Sequence, residues 1–412
     1  MTATVVLTVI LVIISFDFVL ERFLESLNRK KWSPILPESV KNIYDQEKYQ
    51  QSQNYQKDKF MPSLLSSSIA FTLSFFMIYF GGFGWVDDFV RDYFEHPITI
   101  ALAFFGLILF FSNLLSLPFS YYSTFVIEEK YGFNKTSVKT FILDQVKGAL
   151  LGIVIGGGIV AVLIWIYLQT TTNFWWMAWL VMAIFMIFMT MFYSSFLVPL
   201  FNKQIPLEEG DLKADIQKFA DKVNFKLDNV YVMDGSKRST KGNAYFSGLG
   251  SKKRIVLFDT LIADLSNEQI VAVLAHEIGH YQKKHTRSGL LLSLLQSGLM
   301  FYVFSLLVDN PILSEALGAR VQSFHIGLVA FGMLYSPIST FLSLGMNALS
   351  RKNEYEADAY AANNYNAQAL GEALKKLSVT SLSNLTPHPF YVFFYYSHPS
   401  LIQRLKALQL IK

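Results

Sequence analysis

The sequence predicts a mainly α-helical protein that spans a membrane seven times and carries a small α+β unit between its later spans. Three observations lead there. Hydrophobic residues make up 52% of the 412 and charged residues only 16%, against about a quarter charged in ordinary soluble domains. The mean hydropathy is +0.34. The apolar residues gather in seven long runs, and one polar block, 202–287, separates the fifth run from the sixth. A chain with this much apolar surface cannot stay solvated as a disordered coil. A net charge of +4 with no long basic run argues against nucleic acid as a partner. With no cysteine in the chain, disulfides, zinc ribbons, iron–sulfur clusters and thiol nucleophiles are excluded, so any metal must be held by His, Asp and Glu.

The runs cover 3–20, 62–83, 98–118, 148–168, 175–200, 288–308 and 323–346. Each is long enough to cross about 30 Å of hydrocarbon as a helix. The first reads as a span rather than a cleaved leader. Its positive charges (Arg22, Arg29, Lys30, Lys31) follow the apolar run, and no small-residue cleavage site comes after it. Loop charges then set the orientation. The segment 21–61, the loop with Lys130, Lys135, Lys139 and Lys147, the block 202–287 and the tail opening at Arg351 and Lys352 are all basic. The loops WVDDFVRDYFEH and QTTTNF are acidic or uncharged. The N-terminus is therefore expected outside, with the polar block and the tail together on the cytoplasmic side. This divides the chain into 1–201 (spans one to five), 202–287 (polar block), 288–349 (spans six and seven) and 350–412 (tail).

Within the polar block, 206–224 reads as an amphipathic helix with acidic residues in its first turn. The runs NVYVMDG, NAYFSGL and RIVLFDTLI follow, separated by Gly and Lys as in a small antiparallel sheet. Ser266 before Asn267, Glu268 and Gln269 looks like a capped start for a helix over 267–285.

That helix contains VAVLAHEIGHYQKKH. His276 and His280 stand about one helical turn apart, so both project from one face and can bind a single Zn²⁺. Glu277 beside them can polarise a water held there. The apolar VAVLA marks the helix as buried, and buried His and Glu need partners. Zinc on two histidines takes a third protein ligand and leaves a position open. A third histidine on an extended motif is absent, because Lys283 and Thr286 stand where Gly and His are needed. His285 is one residue short of that place and reads as a surface residue near the membrane interface.

The other source of a ligand is a carboxylate from a separate helix, and SRKNEYEADAYAA at 350–362 offers one. Glu354 and Asp358 share a face, while Glu356 lies about 200° around the helix from Glu354. Glu354 would bind zinc and Asp358 would accept the outer ring N–H of a ligating histidine. Arg351, a turn earlier, is placed to pair with one of these carboxylates. Near the end, YYSHPSLIQRLKAL holds His398, kept out of helix by Pro399, and Arg404 on a short helix opened by Ser400. Together they can stabilise an oxyanion opposite the metal. His388 also precedes a proline and rivals His398 by spacing alone.

With these residues in view, the chain resembles the integral-membrane zinc metalloproteases of the CAAX prenyl protease type. The resemblance runs over nearly the whole chain, through YQKDKF, KYGFNKTSVKTFILDQVK, VPLFNKQIPL, DGSKRSTKGNAYF, KRIVLFDTLI, HEIGH, NEYEAD and SHPSLIQRL. It implies seven membrane helices around a large water-filled chamber, with a gluzincin-like zinc site at its cytoplasmic end. It implies one zinc on His276, His280 and Glu354, with Glu277 as general base and Asp358 supporting a ligand. His398 and Arg404 then stand beside the reacting carbonyl, which favours His398 over His388. The implied partners are a peptide or prenylated-peptide substrate and the lipid bilayer. NAYF gains a role as an edge strand that pairs with an extended peptide, with Asn243 and Ala244 as contacts. Frequent Asn, Lys and Tyr, and the ending LQLIK without a retrieval signal, suggest a bacterial inner membrane. Two other readings stand beside this one. A prenyl-independent quality-control zinc protease keeps the chemistry and changes the substrate. A transporter or channel fits seven spans, but charged residues are nearly absent from them, Asp17 being the main exception, and transport sites usually need such groups at membrane depth.

Overall fold

The computed structural model describes residues 2–38, 41, 43–170, 173–225, 230–248 and 254–411. Five long helices come first: α1 (Ala3–Arg29), α2 (Gln46–Tyr79), α3 (Pro97–Glu128), α4 (Val138–Gln169) and α5 (Phe174–Leu200). α1, α3 and α4 outrun the apolar stretches that predicted them, and α2 starts well before its own, because polar residues at those ends continue the helix without a break; α5 matches its stretch to within one residue. α2 begins where Asp45 caps it, accepting from the Lys48 N–H at 2.7 Å, so its polar first turns stand clear of the hydrocarbon. π-helical turns at Ser123–Glu128, Gly152–Gly157 and Tyr193–Leu197 lie within α3, α4 and α5.

The polar block forms β1 (Gln204–Pro206), α6 (Asp211–Lys222), β2 (Val230–Met233), β3 (Ala244–Ser247), β4 (Arg254–Phe258), α7 (Asp259–Asp264) and α8 (Asn267–Gln282). The strands stand in the order β1-β2-β4-β3. The expected all-antiparallel sheet is corrected here: β2 and β4 run parallel, while β1–β2 and β3–β4 are antiparallel. Ile255, Val256 and Leu257 are buried on both faces of β4, which suits a central strand. The half-exposed β3 goes to the edge. Residues 226–229 and 249–253, where the ends of two expected strand runs fall, lie outside the described residues.

α8 opens with the anticipated capping box of Ser266 and Gln269. Its residues Val271, Leu274, Ala275 and Ile278 pack with Leu257, Leu261, Ala361 and Leu370 in the core of the unit. The unit is clipped to the membrane helices by charge. Arg238 grips Asp144 of α4 through two bonds of 2.8 Å, and Lys241 reaches Glu128 of α3 at 2.8 Å.

α8 ends earlier than the sequence suggested. Lys284 takes a positive φ of 61°, and a new helix, α9 (His285–Ser305), starts at once. α9 and α10 (Phe324–Asn364) bring the long apolar helices among the described residues to seven, as hydropathy predicted. α10 has 41 residues. At about 1.5 Å per residue it is roughly twice as long as the hydrocarbon is thick, so its second half leaves the membrane and reaches α8. Three shorter helices finish the chain: α11 (Ala367–Thr380), α12 (Pro389–Tyr395) and α13 (Leu401–Ala407).

Candidate metal centre

α8 and α10 cross at Gly279. A Cβ there would lie 3.1 Å from the Cα of Ala357 and 3.1 Å from the Cβ of Tyr360, so only glycine lets the helices meet this closely. The approach brings Glu354 opposite the two histidines. His276 Nε2 and His280 Nε2 lie 3.1 Å apart. Glu354 Oε2 is 3.5 Å from the first and Glu354 Oε1 is 3.3 Å from the second. The three residues offer two nitrogens and one oxygen within 4.8 Å of one another. Glu354 is buried, and among the described residues its Oε2 has no hydrogen-bond partner. A buried carboxylate oxygen left bare is costly, and a cation between these groups satisfies it. The donor set suits a divalent metal with nitrogen and oxygen ligands.

Behind His276, Asp358 Oδ1 sits 2.9 Å from its Nδ1, the arrangement expected from the sequence. Arg404 reaches the same carboxylate with two bonds, 2.8 Å from Nε and 2.6 Å from Nη2. Its Nη1 lies 3.5 Å from Glu354 Oε2. Burial works against the charge of Arg404, but its bonds to Asp358 outweigh that and raise its pKa. His398 Nε2 stands 3.3 Å from Glu354 Oε1, on a side chain that is 63% exposed, so it belongs to the site and faces its open side. A cleft of about 440 Å³ is bordered by Tyr396, His398 and Arg404, but its lining includes none of His276, Glu277, His280 and Glu354. His388 is elsewhere: its ring caps α12, accepting from the Phe390 N–H at 3.2 Å.

Arg351 does not pair with the carboxylates. It donates to the carbonyls of Tyr396 at 2.6 Å and Val392 at 3.4 Å, and Asn347 donates to that of Phe394 at 2.8 Å. α10 thus holds the segment that presents His398, while the Ser400–Gln403 capping box starts the helix bearing Arg404.

Glu277 faces the edge strand. The Phe258 N–H donates to the Asn243 carbonyl at 3.0 Å. By the alternation of an antiparallel ladder, the N–H groups of Ala244 and Phe246 therefore point outward. The Ala244 N–H is met by the Asn243 side chain at 2.9 Å, and the Phe246 N–H lies toward Glu277 and favours its charged form. Burial pushes the pKa of Glu277 up, against the pull of the adjacent His276 and His280.

Sequence reasoning missed two residues of the centre and misplaced one of them outright. His285 is buried, not on the surface. Its Nδ1 lies 3.0 Å from His280 Nδ1, and its Nε2 lies 3.1 Å from Glu356 Oε2. The sequence held one clue, the placing of Glu356 on a different face of α10 from Glu354.

Comparisons with known proteins agree with this geometry. Residues 26–203 match the family described as CAAX prenyl protease N-terminal, five membrane helices, and residues 206–412 match peptidase family M48. The chain is 35% identical to CAAX prenyl protease 1 of Saccharomyces cerevisiae, over 94% of this chain and 90% of that protein. It is 33% identical to the human CAAX prenyl protease 1 homolog, over 95% and 93%. The crystal structure of S. mikatae Ste24p superposes with a TM-score of 0.92 at 35% identity, covering 98% of this chain and 99% of that one. These relatives are eukaryotic and lend no support to the bacterial membrane suggested by composition. The chain belongs to the CAAX prenyl proteases of peptidase family M48 and is a multi-pass membrane metalloendopeptidase.

Proposed function

We propose that the chain is a zinc-dependent endopeptidase that cleaves near the C-terminus of prenylated CAAX-type substrates, with its site on the cytoplasmic side of the membrane. The observation that carries this is the meeting of two imidazole Nε2 atoms and the buried carboxylate of Glu354 beside the half-buried Glu277 and the rim of an edge strand. His276, His280 and Glu354 would hold the zinc. When bound there, zinc supplies Lewis acidity, which makes a water acidic enough to attack near neutral pH and polarises the peptide carbonyl.

The chain's own residues do the rest. The outer rim of β3, at Asn243 and Ala244, takes an extended peptide by backbone hydrogen bonds. The Asn243 side chain that occupies the Ala244 N–H swings away as the peptide arrives. Glu277 accepts the proton of the attacking water as the new C–O bond forms, and returns it to the amine nitrogen as the C–N bond breaks. Its raised pKa suits a group that must both take and give a proton. His398, on the exposed side, donates toward the developing oxyanion, and the Arg404 charge behind Glu354 adds to the field. Asp358 holds His276 in the tautomer that presents Nε2.

Two features favour a lipidated substrate. CAAX processing acts beside a prenylated cysteine, which stays at the bilayer surface. α8 passes into the membrane helix α9 through only Lys283 and Lys284, so the site lies at the membrane boundary. The basic loops support a cytoplasmic face for that boundary. The test is cleavage of one peptide sequence with and without a farnesyl group, by protein in nanodiscs. A large kcat/KM advantage for the farnesylated form is expected. Equal rates would point to the prenyl-independent quality-control protease, and ion or solute flux persisting after zinc removal would favour a transporter.

A further inference from the structure

We infer that His285 and Glu356 form a proton-ordered chain that fixes His280 for metal binding, as Asp358 and Arg404 fix His276. The inference rests on the metal site proposed above. Both ligand rings aim Nε2 at the centre, 3.1 Å apart. A neutral imidazole that ligates through Nε2 carries its proton on Nδ1. For His280 that N–H points at His285 Nδ1, 3.0 Å away, and a bond forms only if this nitrogen is bare. A neutral His285 then carries its proton on Nε2, which lies 3.1 Å from Glu356 Oε2, a pure acceptor when ionised. One tautomer of each ring satisfies both contacts. The Glu356 carboxylate sets the direction of the whole chain.

The backbone is arranged for this. Had α8 continued, His285 would stand about 140° around the helix from His280. The corner at Lys284, with its φ of 61°, turns the ring back onto His280 and buries it. Lys352, 3.7 Å from Glu356 Oε1, favours the ionised carboxylate. His285 touches neither zinc nor substrate in this account and is a positioning residue.

The experiment uses the purified full chain in nanodiscs, loaded with zinc, and follows zinc release to a chromogenic chelator. His285→Phe keeps a ring but removes the acceptor, and should release zinc about 10–100-fold faster, the usual effect of losing such a partner. His285→Asn places an amide oxygen near the Nδ1 position and should recover most of that loss. Glu356→Leu should release zinc faster than the parent. Cobalt-substituted His285→Phe and Glu356→Leu should show shifted visible bands, whereas His285→Asn should match the parent. The metal-free proteins should melt alike, which separates positioning from packing. Parental release rates in both His285→Phe and Glu356→Leu overturn the inference, and so does His285→Asn behaving like His285→Phe. If His285→Phe fails to fold, Glu356→Leu decides, since that side chain is 39% exposed and tolerates change. A parent that holds no zinc is a separate result, and it removes the metal reading itself.

Discussion

Replacing Arg404 by Met tests the charge network behind the metal site. Asp358 is 1% exposed and accepts two guanidinium bonds, at 2.8 and 2.6 Å. Its other close contact is His276 Nδ1 at 2.9 Å. Methionine retains much of the arginine stem, so lost packing is the smaller effect. Each charge-assisted bond is worth about 1.5–3 kcal/mol, and orphaning one partner of a buried pair costs about 3–5 kcal/mol. The His276 contact offsets part of this, so the expected net loss is about 2–4 kcal/mol. Asp358→Asn removes the orphaned charge and still accepts from His276. The double variant should therefore lose about 2 kcal/mol less than the sum of the singles. The assay is thermal melting of all four metal-free proteins in detergent, so that a bound cation does not stand in for the guanidinium. Additive losses would refute the reasoning, because they would mean that the two side chains do not depend on each other. Arg404→Lys should fall between parent and Met, since one ammonium cannot reproduce the two-pronged grip.

Further outcomes follow from the same geometry. Glu277→Gln should keep its zinc by metal analysis while peptide cleavage falls by about 10²–10⁴-fold. Burial raises the folded-state pKa of Glu277, so folding of the parent loses stability as pH rises from the ordinary carboxylate value through the raised one. Metal-free Glu277→Gln should accordingly melt above the metal-free parent at pH 7, and the gap should close in acid. Gly279→Ala puts a methyl 3.1 Å from α10; it should cost about 1–3 kcal/mol in melting experiments and speed zinc release by parting the helices that carry the ligands. His398→Ala should retain zinc and lose kcat by about 10²-fold or more, with KM moving far less.

The seven spans were legible because an apolar run of span length has few other uses, and the pairing of HEIGH with NEYEAD because four-residue spacing fixes a helix face. What escaped was set by tertiary contacts. The run ending near 346 hid the second half of α10, since charged residues stop a span without stopping a helix. Periodicity marked three strands but not their order, and the parallel β2–β4 pairing depends on burial that no single strand reveals. β1, at three residues including Pro206, carries almost no pattern. His285 was misread because helical spacing was carried past Lys284, where the backbone turns. Arg351 sat one turn before Glu354 and two before Asp358, but its partners are carbonyls that only folding brings near.

The zinc content of purified Glu354→Ala beside the parent tests the central claim most directly. The parent should carry about one zinc per chain, and the variant, left with His276 and His280 alone, should lose it on dialysis. A variant that keeps the parental amount, and releases it as slowly, would contradict a metal held between α8 and α10.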